Sequence, residues 1–225
     1  MKKSFLGILA AIFLMAGSAF GQVVTGFDDI LVWVGSGDNR AGLVIDFHDG
    51  QSKQSFVWGF RWIGEATGYD MLEAISDADI NLTVSTLGFI NTISYQAPEG
   101  LHSQTGGTFA SFPDDFVSWG YYLAGGEAEA FDENWDPLGP VAISGGGINL
   151  PVSWTLSPAG TQDRYLSDGA WDAFSYGAVS DAPDYEHQAP PSNTAFAAIP
   201  EPSTVLLLVL AGGGALWMRS RKSSS

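Results

Sequence analysis

Residues 55–62 read SFVWGFRW, in which Phe56, Trp58, Phe60 and Trp62 alternate with Val57, Gly59 and Arg61. Successive side chains of a strand point to opposite faces, so this spacing sets four aromatic rings side by side on one face of a sheet. A face so large and apolar has to be covered by a second layer. The stretch that follows supplies one. Thr67 and Asp70 have the spacing of a capping box with Asp in the Glu position, and Met71, Leu72, Ile75 and Ala78 recur at helical intervals. The spacing predicts a short helix over 69–78 whose apolar stripe lies against the aromatic strand.

Most of the remaining chain has the pattern of strands. Phe27–Val34 (FDDILVWV) is rich in β-branched and aromatic residues and stops at Gly35-Ser36-Gly37; Ala41–Phe47 ends at the Asp49-Gly50 turn signal. Further strands are predicted over 81–87, 89–95, 116–123, 148–156 and 171–176, with Pro151 placing the fourth of these at a sheet edge. Residues 96–113 and 125–147 read as two long loops, the second acidic, and 181–199, with Pro183, Pro190 and Pro191, as an extended linker. The expected class is α+β, mainly antiparallel β with one short helix; a β-sandwich is the alternative.

The two ends have a different character. Met1–Gly21 combines Lys2 and Lys3, an apolar run from Phe5 to Gly17, and small residues at Ala19 and Gly21, the layout of a signal peptide cut before Gln22. The other end carries Pro200-Glu201-Pro202, then fourteen uncharged residues from Val205 to Met218, then Arg219, Arg221 and Lys222. An apolar segment followed by basic residues enters a bilayer with its end held in the cytoplasm. Fourteen helical residues reach only about 21 Å, against a hydrocarbon core of about 30 Å. Residues 205–218 are therefore too short for a lasting anchor, and Gly212, Gly213 and Gly214 weaken the helix further.

In order and in position, this tail resembles the PEP-CTERM sorting signal of exported proteins in Gram-negative bacteria. The resemblance implies that residues 200–222 are read by the membrane transpeptidase exosortase and removed, and that signal peptidase removes residues 1–21. It also implies transient residence in the inner membrane through the 205–218 helix, then a place on the cell surface or in the exopolysaccharide matrix. The body would run from 22 to 180, with the 181–199 linker behind it.

Of nine basic residues, five lie in the two ends, while of 25 acidic residues only Glu201 does; residues 22–199 thus keep four basic and 24 acidic side chains, a formal charge of −20. Such a body repels phosphate backbones, which excludes nucleic acid as a partner. Cysteine is absent, so disulfides and thiolate metal sites are excluded too. Stability must come from the core, for which eight Trp, seven Tyr and fourteen Phe are ample material.

The order of elements within the body is also similar to the β-grasp module at the C-terminus of transcobalamin-like proteins. The matching pieces are Thr67 to Ile75, Trp119-Gly120-Tyr121-Tyr122 with Gly125, and Leu166-Ser167-Asp168-Gly169 before Trp171, with two long loops where that module is compact. This resemblance implies a β-grasp-like fold and binding of a corrinoid.

Residue chemistry points to binding more than to catalysis. The strings HExxH, GxSxG, SxxK and GxxxxGK(S/T) do not occur. His48 sits between Asp46 and Asp49, where it reads either as an oriented catalytic or metal-binding His or as a solvated strand end; His102 falls in an expected loop and His187 in the linker. Carboxylate pairs such as Asp28-Asp29 and Asp114-Asp115 have the composition glycoside hydrolysis uses, yet arise readily in so acidic a chain. Asp132, Asn134 and Asp136 have the D-x-N-x-D spacing of a calcium loop, with Pro137 where an EF-hand has its turning Gly and Ile143 where it has its bidentate Glu. Calcium is thus the only cofactor suggested. Trp58, Trp62, Trp119, Trp154 and Trp171 stack on sugar rings if exposed and form a core if not. Trp171, Asp172 and Tyr176 are singled out as a ligand-binding cluster, because Asp172 and Ser175 offer hydrogen bonds beside the rings. The sequence reading is therefore a non-enzymatic exported protein with a structural or adhesive role, or a ligand-binding module for a corrinoid or a polysaccharide; an extracellular hydrolase stands last.

Overall fold

A computed structural model of the chain describes residues 21–86, 90–106, 117–179 and 189–199. The expected signal peptide, the 205–218 segment and the sorting residues Pro200, Glu201, Pro202, Arg219, Arg221 and Lys222 lie outside the described residues, as does His187.

In chain order the strands are β1 (Val23–Val24), β2 (Trp33–Gly35), β3 (Asn39–Asp46) and β4 (Ser55–Trp62), then helix α1 (Gly68–Ala78). There follow β5 (Leu82–Thr86), β6 (Ile90–Ala97), β7 (Gly100–Thr105), β8 (Val117–Ala124), β9 (Glu127–Phe131) and β10 (Pro137–Ala142). The last are β11 (Thr155–Leu156), β12 (Arg164–Tyr165), β13 (Ala170–Val179) and β14 (Ala195–Ala197). The class is α+β, dominated by antiparallel and mixed sheets with one α-helix among the described residues.

The main sheet has the order β1-β14-β4-β3-β13-β8-β11, with β2 also paired to β4. Strands β3 and β4 form an antiparallel hairpin, and β13 inserts between β3, to which it is parallel, and β8, to which it is antiparallel. The central strands read as nearly continuous apolar runs because both of their faces are covered. On one face, Phe56, Trp58, Phe60 and Trp62 of β4 meet Met71, Leu72 and Ile75 of α1 and Leu82, Ile93 and Tyr95 of the small β5-β6-β7 sheet. On the other, Val44, Val57, Trp171 and Ala173 meet Val24, Phe27 and Ile30. Gly42 makes room there, since a Cβ on it would collide with the Trp171 ring.

The predicted helix forms where its cap places it, one residue earlier than its apolar stripe suggests. Both halves of the capping box are present: the Thr67 side chain accepts from the Asp70 amide, and the Asp70 carboxylate accepts from the Thr67 amide at 2.8 Å. At its far end the helix is tied to the aromatic strand, because buried Trp58 Nε1 donates to Asp79 Oδ2 at 2.8 Å.

Five sequence expectations are corrected. Phe27–Asp29 is a 3-10 turn, not the start of a strand, and only Trp33–Gly35 of that run pairs. Phe27 and Ile30, ahead of the paired residues, are apolar because they pack across a sheet face. The expected loop 96–113 contains β7, and the acidic loop 125–147 contains the β9-β10 hairpin, to which β12 adds a third strand. Of the strand expected over 148–156 only Thr155–Leu156 pairs, at the edge of the main sheet. Finally, the expected linker is part of the body at its end. β14 pairs with β1 and β4, and Ala195, Ala197 and Ala198 are buried.

Candidate functional site

A cavity of about 570 Å³ opens where the start of α1, the small β5-β6-β7 sheet and the main sheet meet. Trp119, Tyr121 and Phe174 form its floor, projecting on the same face from neighbouring strands β8 and β13. Tyr69 and Leu72 of α1 form one wall, Thr86 and Ile90 another, and residues 159–163 a third. Tyr121 stacks on Phe174 with ring centres 4.8 Å apart and planes 11° off parallel. Trp119 meets Tyr176 edge-on at 5.4 Å and Phe47 at 5.6 Å.

Tyr121 is held by a buried polar network beneath the floor. Its hydroxyl donates to Asp172 Oδ2, and Arg164 Nε donates to Asp172 Oδ1 at 2.9 Å. Arg164 Nη1 donates to the carbonyls of Glu127 at 3.1 Å and Tyr165 at 3.2 Å, which binds the β9-β12 sheet to the same cluster. Arg164 and Asp172 are fully buried. Burial pushes the Asp172 carboxyl up, with the Arg164 guanidinium pulling it the other way. Burial, and then the Asp172 charge, push the Tyr121 phenol well above its ordinary range. Tyr121 is therefore a neutral hydrogen-bond donor locked in one orientation, not a base. Helix α1 starts directly on this network, for Gly68 lies against Tyr121, Asp172 and Arg164.

The three residues singled out as a ligand cluster are divided by strand alternation. Trp171 points to the far face, fully buried, stacked on Phe27 at 4.8 Å and donating from Nε1 to the Gly147 carbonyl at 2.8 Å. Asp172 lies under the cavity floor. Tyr176 shares that face but donates to the Thr105 carbonyl at 3.0 Å, latching β7 to the main sheet. Period two within one strand forbids all three from meeting one ligand.

The D-x-N-x-D pattern makes the turn between β9 and β10. Asp132 Oδ1 accepts from the amides of Asp136 at 3.0 Å and Asn134 at 2.8 Å, bonds that hold its carboxyl below the ordinary range. Among the described residues, no three or more His, Cys, Asp and Glu side chains are grouped as a metal ion requires.

His102 is the largest surprise. Expected in a loop, it sits in β7, fully buried between Phe47 and Phe56, with Nδ1 2.7 Å from Asp49 Oδ2. The carboxylate beside His48 in sequence thus serves a different His in space. His48 itself is exposed, 3.4 Å from Asp46.

Of the tryptophans named from sequence, Trp58, Trp62, Trp119 and Trp171 are buried, and only Trp119 faces the cavity. Sequence reasoning had no signal that Tyr69, Trp119, Tyr121 and Phe174 converge, since they come from three separate elements. Compared with known proteins, the chain matches no family model, no curated protein and no solved structure. Among the described residues no helix is long and apolar enough to cross a membrane.

Proposed function

We infer that this is a non-enzymatic exported protein of the cell surface or the exopolysaccharide matrix, delivered through its PEP-CTERM tail and structural or adhesive in role. The observation that carries this reading is where the core stops. The compact body extends from Gly21 to Ala198. Its two ends pair with each other, Val23 opposite Phe196, and the Ala197 amide bonds the Gln22 carbonyl at 2.9 Å while the Ala198 amide bonds the Val57 carbonyl at 3.0 Å. Pro200 follows two residues later. Cleavage before Gln22 and near Pro200 would leave every core element in place, which suits segments that serve delivery alone. Signal peptidase and exosortase are the processing partners of this reading. Its test is the replacement of Pro200, Glu201 and Pro202 by alanine in the native host. The variant is expected to stay uncleaved in the inner membrane on fractionation, and processing at the wild-type rate would overturn the sorting route.

A second reading, a ligand-binding module, is favoured by the aromatic cavity. The β4-β3-β13-β8 order, with a parallel central pair and α1 across one face, is the arrangement expected of a β-grasp fold, and it supports the likeness to the transcobalamin-type module. The pieces of that likeness also come together: Thr67 bridges Tyr165, the Leu166 amide bonds the Ala66 carbonyl at 2.9 Å, and Gly68 lies on Tyr121.

A further inference from the structure

We propose that the cavity between α1 and the main sheet holds a neutral sugar unit of a glycan chain. The proposal rests on the binding-module reading and names its ligand class. Three features of the cavity select that class. The first is shape: the volume falls within the range of small-ligand sites, and exposed Tyr69 and half-buried Tyr121, backed by the buried rings of Trp119 and Phe174, offer aromatic surface on which the apolar C–H face of a pyranose packs. The second is an unused donor. Trp119 Nε1 is buried and has no hydrogen-bond partner, although it belongs to a residue of the cavity floor. Buried donors are nearly always paired, and an oxygen of the ligand would supply the missing acceptor once the Trp119 ring turns to uncover Nε1, which is closed off in this structure. The third is charge. Among the described residues, the cavity wall contains Thr86, Thr161, Gln162 and Asp163 but neither Lys nor Arg. Amide and hydroxyl groups exchange hydrogen bonds with sugar hydroxyls, whereas a uronate or a phosphate would face Asp163 with no cation to receive it.

The site is also stiff. Tyr121 is fixed by Asp172 and Phe174, and Phe174 is buried, so little ordering is left for the moment of binding.

The experiment is isothermal titration calorimetry of the full chain in a detergent without sugar headgroups. The titrants are neutral gluco-, galacto- and manno-oligosaccharides, oligouronates, and cyanocobalamin. Saturable binding to at least one neutral series is expected, with none to oligouronates. Trp119→Phe, which keeps a ring and loses the N–H, should weaken that binding about fivefold to tenfold. Tyr69→Ala, on an exposed helix position, should weaken it at least as much while leaving the melting temperature near that of the wild type. Absence of heat with every neutral series would overturn the proposal, as would binding only of oligouronate or the corrinoid, or affinities unchanged in both variants. Binding of cyanocobalamin or oligouronate with no neutral series sinks the ligand class and leaves the binding-module reading standing; no binding of any titrant sinks both, and neither outcome touches the sorting route, which the Pro200–Pro202 variant tests.

Discussion

Gly68 sets how closely the helix approaches the network that holds Tyr121. A Cβ at this position would run into Tyr121 Oη and stand 2.8 Å from Asp172 Oδ2. Two effects oppose each other when Ala replaces it. Alanine is favoured over glycine in a helix by about 1 kcal/mol in the interior and by less at the first position, while overpacking a core costs about 1–3 kcal/mol. Here the neighbours cannot move aside, since the Tyr121 hydroxyl is bonded to Asp172 and its ring is stacked on Phe174. Overpacking therefore wins. Gly68→Ala is expected to lower stability by about 1–2 kcal/mol in urea unfolding, and a gain in stability would show that the network yields. The same logic explains why sequence reading passed over this glycine: its phi is ordinary, and the need for it comes from a tyrosine 53 positions away.

Helix α1, at eleven residues, is too short to persist alone in water, so it depends on its caps and on the apolar face it buries. Thr67→Ala removes the side-chain half of the capping box and is expected to cost about 1 kcal/mol, with Thr67→Ser restoring most of it in the same denaturant series. A loss as large from Thr67→Ser would place the effect in the Thr67 methyl group rather than in the cap. Elements with a strong periodic signal were legible in advance: the β4 aromatic alternation, the capped helix, and the aromatic strands β8 and β13. Those that were missed include β7 (GLHSQT), β9 (EAEAF) and β14 (AFA). They are short or polar and become strands because a partner offers an edge, as β6 does for β7 in register from Thr92 opposite Thr105 to Ala97 opposite Gly100. Local pattern carries no record of such an edge.

The folded chain as a whole responds to pH through carboxyls that folding treats in opposite ways. Asp46, fully buried, accepts from the Ser192 amide at 2.7 Å and so joins the C-terminal segment to the end of β3. Burial raises its pKa above 3.8, with the Ser192 amide and His48 pulling the other way and Asp49 adding to the rise. The folded state then holds this proton more tightly than the unfolded state does. The stability it contributes is complete below 3.8 and is lost as pH rises through the raised value. Asp29 behaves in reverse. The Thr25 hydroxyl and amide lower its pKa, so its contribution is present above 3.8 and is lost as pH falls through the lowered value. Asp46→Asn keeps an acceptor for Ser192 and abolishes the titration. The wild type is therefore expected to lose stability relative to Asp46→Asn as pH rises from 3.8 through the raised pKa, measured by urea unfolding of both proteins over that interval. A difference that does not change with pH would mean that Asp46 titrates alike in the folded and unfolded chains.

The linear order of residues was enough to establish the acidic and cysteine-free character of the body, its β-rich class, and the capped helix beside an aromatic strand. All of these are local properties, settled by composition or by repeats a few residues long. Only tertiary structure decided that β13 inserts beside β3, with the Arg40 amide bonded to Asp168 at 2.8 Å across 128 positions. Only tertiary structure decided that His102 takes the carboxylate next to His48, and that Tyr69, Trp119, Tyr121 and Phe174 share one cavity. The physical reason is that side-chain alternation fixes which residues of a strand share a face but not which strand lies beside it. That choice is made by the joint burial of distant apolar faces, and the cavity exists only where three of them meet.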